Sequence, residues 1–419
     1  MDITFLGTAS AQPSPTRNHS SLAFRPDAND VWLFDCGEAT QHQLINLMAD
    51  YADLAIPARG NTTQANSAPR LAKISRIFLT HLHGDHCFGL PGLLSTVGSI
   101  APTNATTLDN GTPSRTSNPV HVYGPQGTKA YVRNMLLHTM TRIGTGWVSH
   151  PLSEAHLMST IRFVVHELLM EPTSLSEKLH IDEVEGEDYV AQVTASAHAY
   201  WSLPIINGFT VTAAAIPHTV PTVGYLIREP TSPGRLNIDF VRPILERNSA
   251  ALGLKTPLAL LTQLKNGKTM TMPDGTVLTP DNCLAPSRPG RVVVILGDTS
   301  SAIDSAFVNL VQGDDVDLIV HEATNACLQS DITAGSSREA VEETAKSHGH
   351  STPELAGAFA KAIGCKRLVL NHFSNRYKGD ASEKSVQVMD EVRQLAVDAF
   401  GSDNVVCARD FMQVTIAPR

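Results

Sequence analysis

The sequence predicts an α/β sandwich in which two sheets pack face to face with helices on their outer surfaces, an αββα arrangement. Three observations lead there. Short apolar runs rich in Val, Ile and Phe alternate with amphipathic stretches, several of those runs end in a His or an Asp, and the residues so placed come from both ends of the chain. A length of 419 residues allows two or three average domains, but one site built from distant segments requires a single large domain, 1–419, carrying insertions.

In chain order, strands are expected near 3–7, 20–25 and 31–36, followed by a helical pattern from about Ala39 to Ala49. Arg76-Ile77-Phe78-Leu79-Thr80 is β-branched and aromatic enough for a buried strand. Further strands near 120–123, 209–216, 223–228, 292–297, 317–321, 367–372 and 405–416 alternate with helical stretches near 303–311, 338–347, 353–363 and 383–399. Three stretches interrupt the pattern as surface insertions. Arg59 to Pro69 and Ala101 to Asn118 are rich in Asn, Thr, Ser and Pro without apolar periodicity and read as loops. Residues 151–200 are acidic, with Glu167, Glu171, Asp182, Glu183 and Asp188 among nine carboxylates against Arg162 and Lys178, and that face is expected to repel polyanions.

His81-Leu82-His83-Gly84-Asp85-His86 puts four metal-ligating side chains directly after the strand ending at Thr80. Gly84 lets the loop turn tightly. His81 and His83, two apart, can reach one ion, while Asp85 and His86 point away and suit a second ion alongside. More donors are needed downstream, and each closes an apolar run: His218 after Phe209 to Ile216, Asp298 after Arg291 to Leu296, and His372 after Arg367 to Leu370. A buried Asp or His at a strand end is costly without a partner, and a cation supplies one for all three.

Two ions about 3.5–4 Å apart activate a water and hold both the attacking and the leaving oxygen of a phosphodiester, which favours phosphoryl transfer over proton chemistry. Zinc suits a donor set dominated by imidazole nitrogen, with manganese or iron left open.

Several motifs together carry a family resemblance over nearly the whole chain. Phe5-Leu6-Gly7-Thr8, Pro15-Thr16-Arg17-Asn18, Phe34-Asp35-Cys36-Gly37-Glu38, the histidine-rich turn continuing through Gly89-Leu90-Pro91-Gly92, Pro217-His218 with Gly224-Tyr225, Gly297-Asp298-Thr299, His321-Glu322-Ala323-Thr324, Gly349-His350-Ser351-Thr352 and His372-Phe373-Ser374 appear in order. The chain resembles the short form of ribonuclease Z, the tRNA 3'-processing endonuclease of the zinc phosphodiesterase ELAC type within the metallo-β-lactamase superfamily. The histidine-rich turn alone fixes only the superfamily; the His321 and His350 motifs narrow it.

The resemblance implies a metallo-β-lactamase αββα sandwich with an inserted tRNA-binding arm and two zinc ions per chain. His81, His83 and His218 would hold one zinc and Asp85, His86 and His372 the other, with Asp298 bridging. Asp85 doubles as proton acceptor, His350 contacts the scissile phosphate and Glu322 orients it. A plainer role for His350 is to precede a helix capped by Ser351 or Thr352. The implied reaction removes the 3' trailer from precursor tRNA, leaving a 3'-hydroxyl on the tRNA and a 5'-phosphate on the trailer, and the short form acts as a homodimer.

The net charge of −9 argues against a generic nucleic-acid binder, so affinity must come from a local patch. From Thr231 to Arg291 cations outnumber carboxylates, and 231–291 is where the family carries the arm that grips the tRNA body. Arg235, Lys255, Lys265 and Lys268 are its candidate RNA-binding residues, although Lys255-Thr256-Pro257 replaces the usual Pro- and Gly-rich turn. Six scattered cysteines suit a reducing compartment. The strand-like start and the lack of any long apolar stretch point to a cytosolic protein, with the nucleus open and no membrane partner. Two rival readings remain at this stage. One is another hydrolase of the same fold, such as a small-molecule phosphodiesterase; the other is a non-catalytic tRNA-binding subunit.

Overall fold

The computed structural model describes residues 1–54, 68–100, 104–107, 113–116, 119–140, 163–172, 178–253, 261–265 and 267–419. Among them, two large sheets form the centre of the first of two compact units, Met1–Pro204, Val211–Ile227 and Val292–Ala417. One sheet runs Tyr189–Val190, Phe163–Leu169, Val120–Pro125, Ile74–Phe78, Val31–Phe34, Ser21–Arg25, Asp2–Gly7 and Gln413–Thr415, with Glu183–Val184 pairing beside Phe163–Leu169. The other runs Gln192–Val193, Ala199–Ser202, Thr210–Ile216, Thr222–Arg228, Val292–Ile295, Leu318–Glu322, Leu368–Asn371 and Val405–Cys407.

An aromatic layer fills the space between the sheets. Phe34 stacks on Phe78 and Phe78 on Tyr123, with ring centroids 4.9 and 5.0 Å apart, and Tyr225 of the second sheet meets Phe78 edge-on at 5.2 Å. The buried Tyr225 hydroxyl donates to the Leu79 carbonyl at 2.6 Å, which satisfies it and fixes the backbone leading to His81. Helices cover the outer faces. Leu44, Leu90, Leu93 and Val132 pack on the first sheet, while Ala356, Phe359, Val392 and Leu395 pack on the second. The αββα architecture predicted from the strand and helix order is present.

The helices at Arg338–Ser347, Pro353–Ala362 and Glu383–Phe400 fall where the amphipathic pattern puts them, and Thr352 caps the second by accepting from Leu355 N. Other expectations need correction. The helix near 303–311 shrinks to Phe307–Leu310. The run 405–416 is not one strand: Val405–Cys407 and Gln413–Thr415 join different sheets, separated by a turn with Phe411 at φ 64. Within 101–118, Asn104–Thr107 and Pro113–Thr116 pair as antiparallel strands where a loop was expected. The expected loop at 59–69 lies outside the described residues except for Ala68 and Pro69.

Residues 151–200 differ most from expectation. Phe163–Leu169 is a fully buried strand, parallel to Val120–Pro125. Several acidic side chains in this stretch turn inward and meet cations. Glu183 pairs with Arg133, Asp188 with Lys129, and Glu167 accepts from the backbone amides of Gly127 and Lys129 at the start of the helix Thr128–His138. These carboxylates hold that helix on the sheet edge instead of forming a repulsive face.

The second compact unit comprises Ile205–Thr210, Arg228–Arg291 and Pro418–Arg419. It has its own apolar centre of Val241, Ile244, Leu245, Leu264, Met272, Leu278 and Cys283. Asn237 caps the helix Ile238–Leu252, and Gly253 ends it in the left-handed conformation at φ 60. All six cysteines are unpaired. Among the described residues, no helix is long and apolar enough to cross a membrane.

Candidate metal centre

The donors picked out in the sequence converge at the ends of strands in the first unit. His81 and His83 follow Ile74–Phe78, His218 follows Thr210–Ile216, Asp298 follows Val292–Ile295, and His372 follows Leu368–Asn371. His83 Nδ1 lies 3.1 Å from His81 Nε2 and 3.3 Å from His218 Nε2. Beside this trio, His86 Nε2 lies 3.1 Å from His372 Nε2, and Asp85 Oδ2 lies 3.5 and 3.4 Å from those same two nitrogens. Asp298 touches both sets, with Oδ2 at 3.8 Å from His81 Nε2, 3.4 Å from His86 Nε2 and 4.0 Å from His218 Nε2, and Oδ1 at 3.3 Å from His372 Nδ1.

The outward nitrogens fix which atoms face the centre. His218 Nδ1 donates to the Gly349 carbonyl at 2.7 Å, and His86 Nδ1 donates to Asp35 Oδ2 at 2.7 Å. Each therefore presents Nε2 inward. Three imidazole nitrogens meeting at one point cannot all be satisfied by one another's protons, whereas donors about 2.1 Å from one tetrahedral zinc stand roughly 3.4 Å apart. The donor set thus fits a cation in chemistry and spacing. Groups able to hold one are His81, His83 and His218; His81, His86 and Asp298; Asp85, His86 and His372; and Asp298, His350 and His372.

The charges act as one unit. Burial pushes the Asp298 carboxyl up, but His372 and His86 outweigh it and hold it well below the usual carboxylate range. Asp85 follows the same pattern, with burial opposed by hydrogen bonds to His372 and His86. Burial lowers the His81 pKa well below 6.5, keeping that ring neutral, as a metal ligand must be.

Local structure enforces this geometry. Gly349 sits at φ 81, and a Cβ there would lie 2.4 Å from His218 Nδ1, so only glycine lets that ring reach the carbonyl. His372 and Asp35 adopt left-handed φ values of 57 and 59, a cost on the order of 1 kcal/mol or more each that the surrounding bonds must hold.

Asp35 was quoted from the sequence only as part of a motif, yet it anchors the site. Its Oδ1 accepts from Thr80 N at 2.7 Å, and its Oδ2 accepts from Thr80 Oγ1 at 2.9 Å and from His86 Nδ1. Because it closes the run Val31–Phe34, the strand-end signal that marked His218 and Asp298 would have marked it too. Asn tolerates a left-handed φ and keeps the shape of Asp35 but lacks its charge. Asp35→Asn is expected to weaken zinc binding roughly 10-fold or more with unchanged circular dichroism, read by competition with a chromophoric chelator. Unchanged zinc affinity would remove Asp35 from this supporting role.

Glu322 and His350 lie against the cluster. Glu322 Oε2 accepts from Thr324 Oγ1 at 2.5 Å, and Oε1 accepts from Thr299 N at 2.7 Å and lies 3.2 Å from His350 Nδ1. Burial lowers the His350 pKa, but the hydrogen bond and charge of Glu322, with Asp298 behind, raise it to about 9. Thr324, another residue not singled out from the sequence, joins this pair to His372 through a 3.1 Å contact with Nδ1. The candidate RNA-binding residues lie in the second unit, where Arg235, Lys265 and Lys268 are exposed; Lys255 lies outside the described residues.

Comparison with known proteins bears on the identity of this centre. The family model for the metallo-β-lactamase superfamily matches residues 15–133. The zinc phosphodiesterase ELAC protein 1 of Bos taurus is 34% identical, covering 99% of this chain and 98% of its own. A ribonuclease Z of Limosilactobacillus fermentum is 34% identical, covering 95% of this chain and 96% of its own. The crystal structure of human tRNase Z, short form, aligns over 100% of both chains at 26% identity with a TM-score of 0.54.

Proposed function

Because the chain belongs to the ribonuclease Z family of the metallo-β-lactamase superfamily, we infer that it is a zinc-dependent endoribonuclease that processes the 3' end of precursor tRNA. The observation that carries this reading is the meeting of seven His and Asp side chains, from His81 to His372, with His350 and Glu322 beside them.

In this reading His81, His83 and His218 would hold one zinc ion and Asp85, His86 and His372 a second, with Asp298 available to either. Bound there, the ions would supply an activated water and stabilise charge on the phosphodiester. Asp85 accepts the proton released as the water attacks. His350, held at Nδ1 by Glu322, keeps Nε2 to stabilise phosphate charge and to protonate the departing 3' oxygen. The products are a tRNA 3'-hydroxyl and a 5'-phosphorylated trailer.

End-mapping of the products formed by the purified, zinc-loaded chain from a precursor tRNA tests this. One cut just 3' of the discriminator region, with those end groups, is expected. An intact RNA alongside hydrolysis of small diesters would assign the chain to another hydrolase of the fold, and a protein that retains no zinc would make it a non-catalytic binder.

The second unit is read as the arm that holds the tRNA body through backbone shape, with Arg235, Lys265 and Lys268 as phosphate contacts and Lys255 as a further candidate. Replacing Arg235, Lys265 and Lys268 together with Ala is expected to weaken precursor binding and flatten its salt dependence by a slope of up to about 3, and deleting 231–291 to do so more strongly. An unchanged salt slope in the triple variant would remove these residues from RNA binding. Two copies act together in this reading, one copy's arm holding the RNA that the other cuts. A cytosolic protein, with the nucleus open, is in keeping with this reading.

A further inference from the structure

Phe88 stands apart from the other aromatic residues of its unit. It is 62% exposed, whereas the other Phe, Tyr and Trp of that unit whose burial is described are buried or half-buried. Scattered exposed apolar residues are ordinary on a protein surface, so exposure alone assigns nothing. Its position does. Phe88 follows directly on the turn that carries His83, Asp85 and His86, and its ring folds back over Gly84, which lies between the first two. A Cβ on Gly84 would sit 2.3 Å from Phe88 Cε2 and 2.5 Å from Cζ, so the ring occupies space that only a glycine leaves open. The glycine between His83 and Asp85 therefore seats an exposed ring one helical turn away.

The backbone beneath that ring is fixed on both sides. Phe88 N donates to Gly84 O at 2.9 Å, Gly89 N donates to Cys36 O at 2.9 Å, and the Tyr131 hydroxyl donates to Cys87 O at 2.8 Å. A ring on so rigid a mount offers a preformed apolar surface that loses little freedom when something settles on it. The substrate of the proposed reaction presents a matching group. An RNA end threaded toward the scissile phosphate is unpaired there, and every base has a π face able to stack on an aromatic side chain whatever its identity.

Resting on the nuclease reading above, we propose that Phe88 is a stacking platform for an unpaired nucleobase flanking the scissile phosphate. It holds the RNA end by ring contact while the His and Asp cluster meets the phosphate. Selection at this point is for an unpaired base, not for one base over another.

The test compares the wild type, Phe88→Ala and Phe88→Trp on an unmodified precursor tRNA and on precursors with an abasic nucleotide immediately 5' or 3' of the cut, by single-turnover kcat/KM. Removing a stacked aromatic costs roughly 5- to 150-fold. A loss in that range is expected for Phe88→Ala on unmodified RNA, with Phe88→Trp within about 3-fold of wild type. The wild type should lose a similar factor on one of the abasic precursors, and Phe88→Ala should lose nothing further on that RNA. Zinc content, measured in parallel, should match the wild type.

If the losses from the variant and the abasic site multiply at both positions, or if Phe88→Ala binds less zinc, the ring supports the turn and the proposal is overturned. If the wild type fails to cut unmodified RNA, the nuclease reading itself fails, an outcome separate from either of these.

Discussion

Asp85→Ala is expected to reduce precursor tRNA cleavage by at least about three orders of magnitude while leaving RNA affinity within a few fold. The size of the effect follows from two roles assigned to one carboxylate. Oδ2 faces His86 Nε2 at 3.5 Å and His372 Nε2 at 3.4 Å, where it completes the donor set for a cation, and it also accepts from Ala11 N at 2.8 Å. Ala has neither the negative charge nor a proton acceptor. Binding should survive because the contacts assigned to the RNA body lie in another unit of the chain. Single-turnover cleavage and a filter-binding isotherm on the same preparation separate the two quantities. A variant cutting at a tenth of the wild-type rate or faster would take Asp85 out of the mechanism.

His350→Ala should lower turnover by roughly 10²- to 10⁴-fold with far less change in substrate binding, the signature of an interaction made mainly in the transition state. Glu322→Gln should do less harm but move the pH profile. The sign follows from the charge pair. Burial lowers the His350 pKa, Glu322 and Asp298 raise it to about 9, and the protonated, donating form is therefore present below that pH and lost above it. With Gln in place of Glu322 the larger of the two raising charges is gone, so activity should fall away at a lower pH than in the wild type. A profile identical in both proteins would mean that Glu322 does not control His350, whatever the loss in rate.

Much of this site could be read from the sequence because its chemistry sits at strand ends. An apolar run that stops at a His or Asp marks both the strand and the donor, and His218, Asp298 and His372 were each visible by that rule. Asp35 obeys it as well, but its role depends on a left-handed backbone and on bonds to Thr80 and His86 that no spacing reveals. Thr324 was hidden for a related reason, since a threonine hydroxyl gains significance only from Glu322 and His372 standing within reach.

In residues 151–200 the charge composition masks the apolar order of a buried strand. Phe163-Val164-Val165 is an evident strand core, yet the surrounding carboxylates suggested a surface insertion. Their partners Lys129 and Arg133 lie in a helix far enough back in the sequence to escape a count made over a single window. The break in 405–416 is marked by no Gly or Pro: Val405–Cys407 is apolar, Gln413–Thr415 alternates, and the turn at Phe411 lies between strands of different sheets.

The first strand, Asp2–Gly7, is flanked on one side by Ser21–Arg25 and on the other by Gln413–Thr415, so residues 411 positions apart share one sheet. His86 and His372 likewise meet across 286 positions of chain. During synthesis at about 5–20 residues per second, a ribosome would expose the early histidines roughly 15 to 60 s before it delivers the last one. A nascent or prematurely terminated polypeptide that stops short of His372 therefore lacks the completed centre.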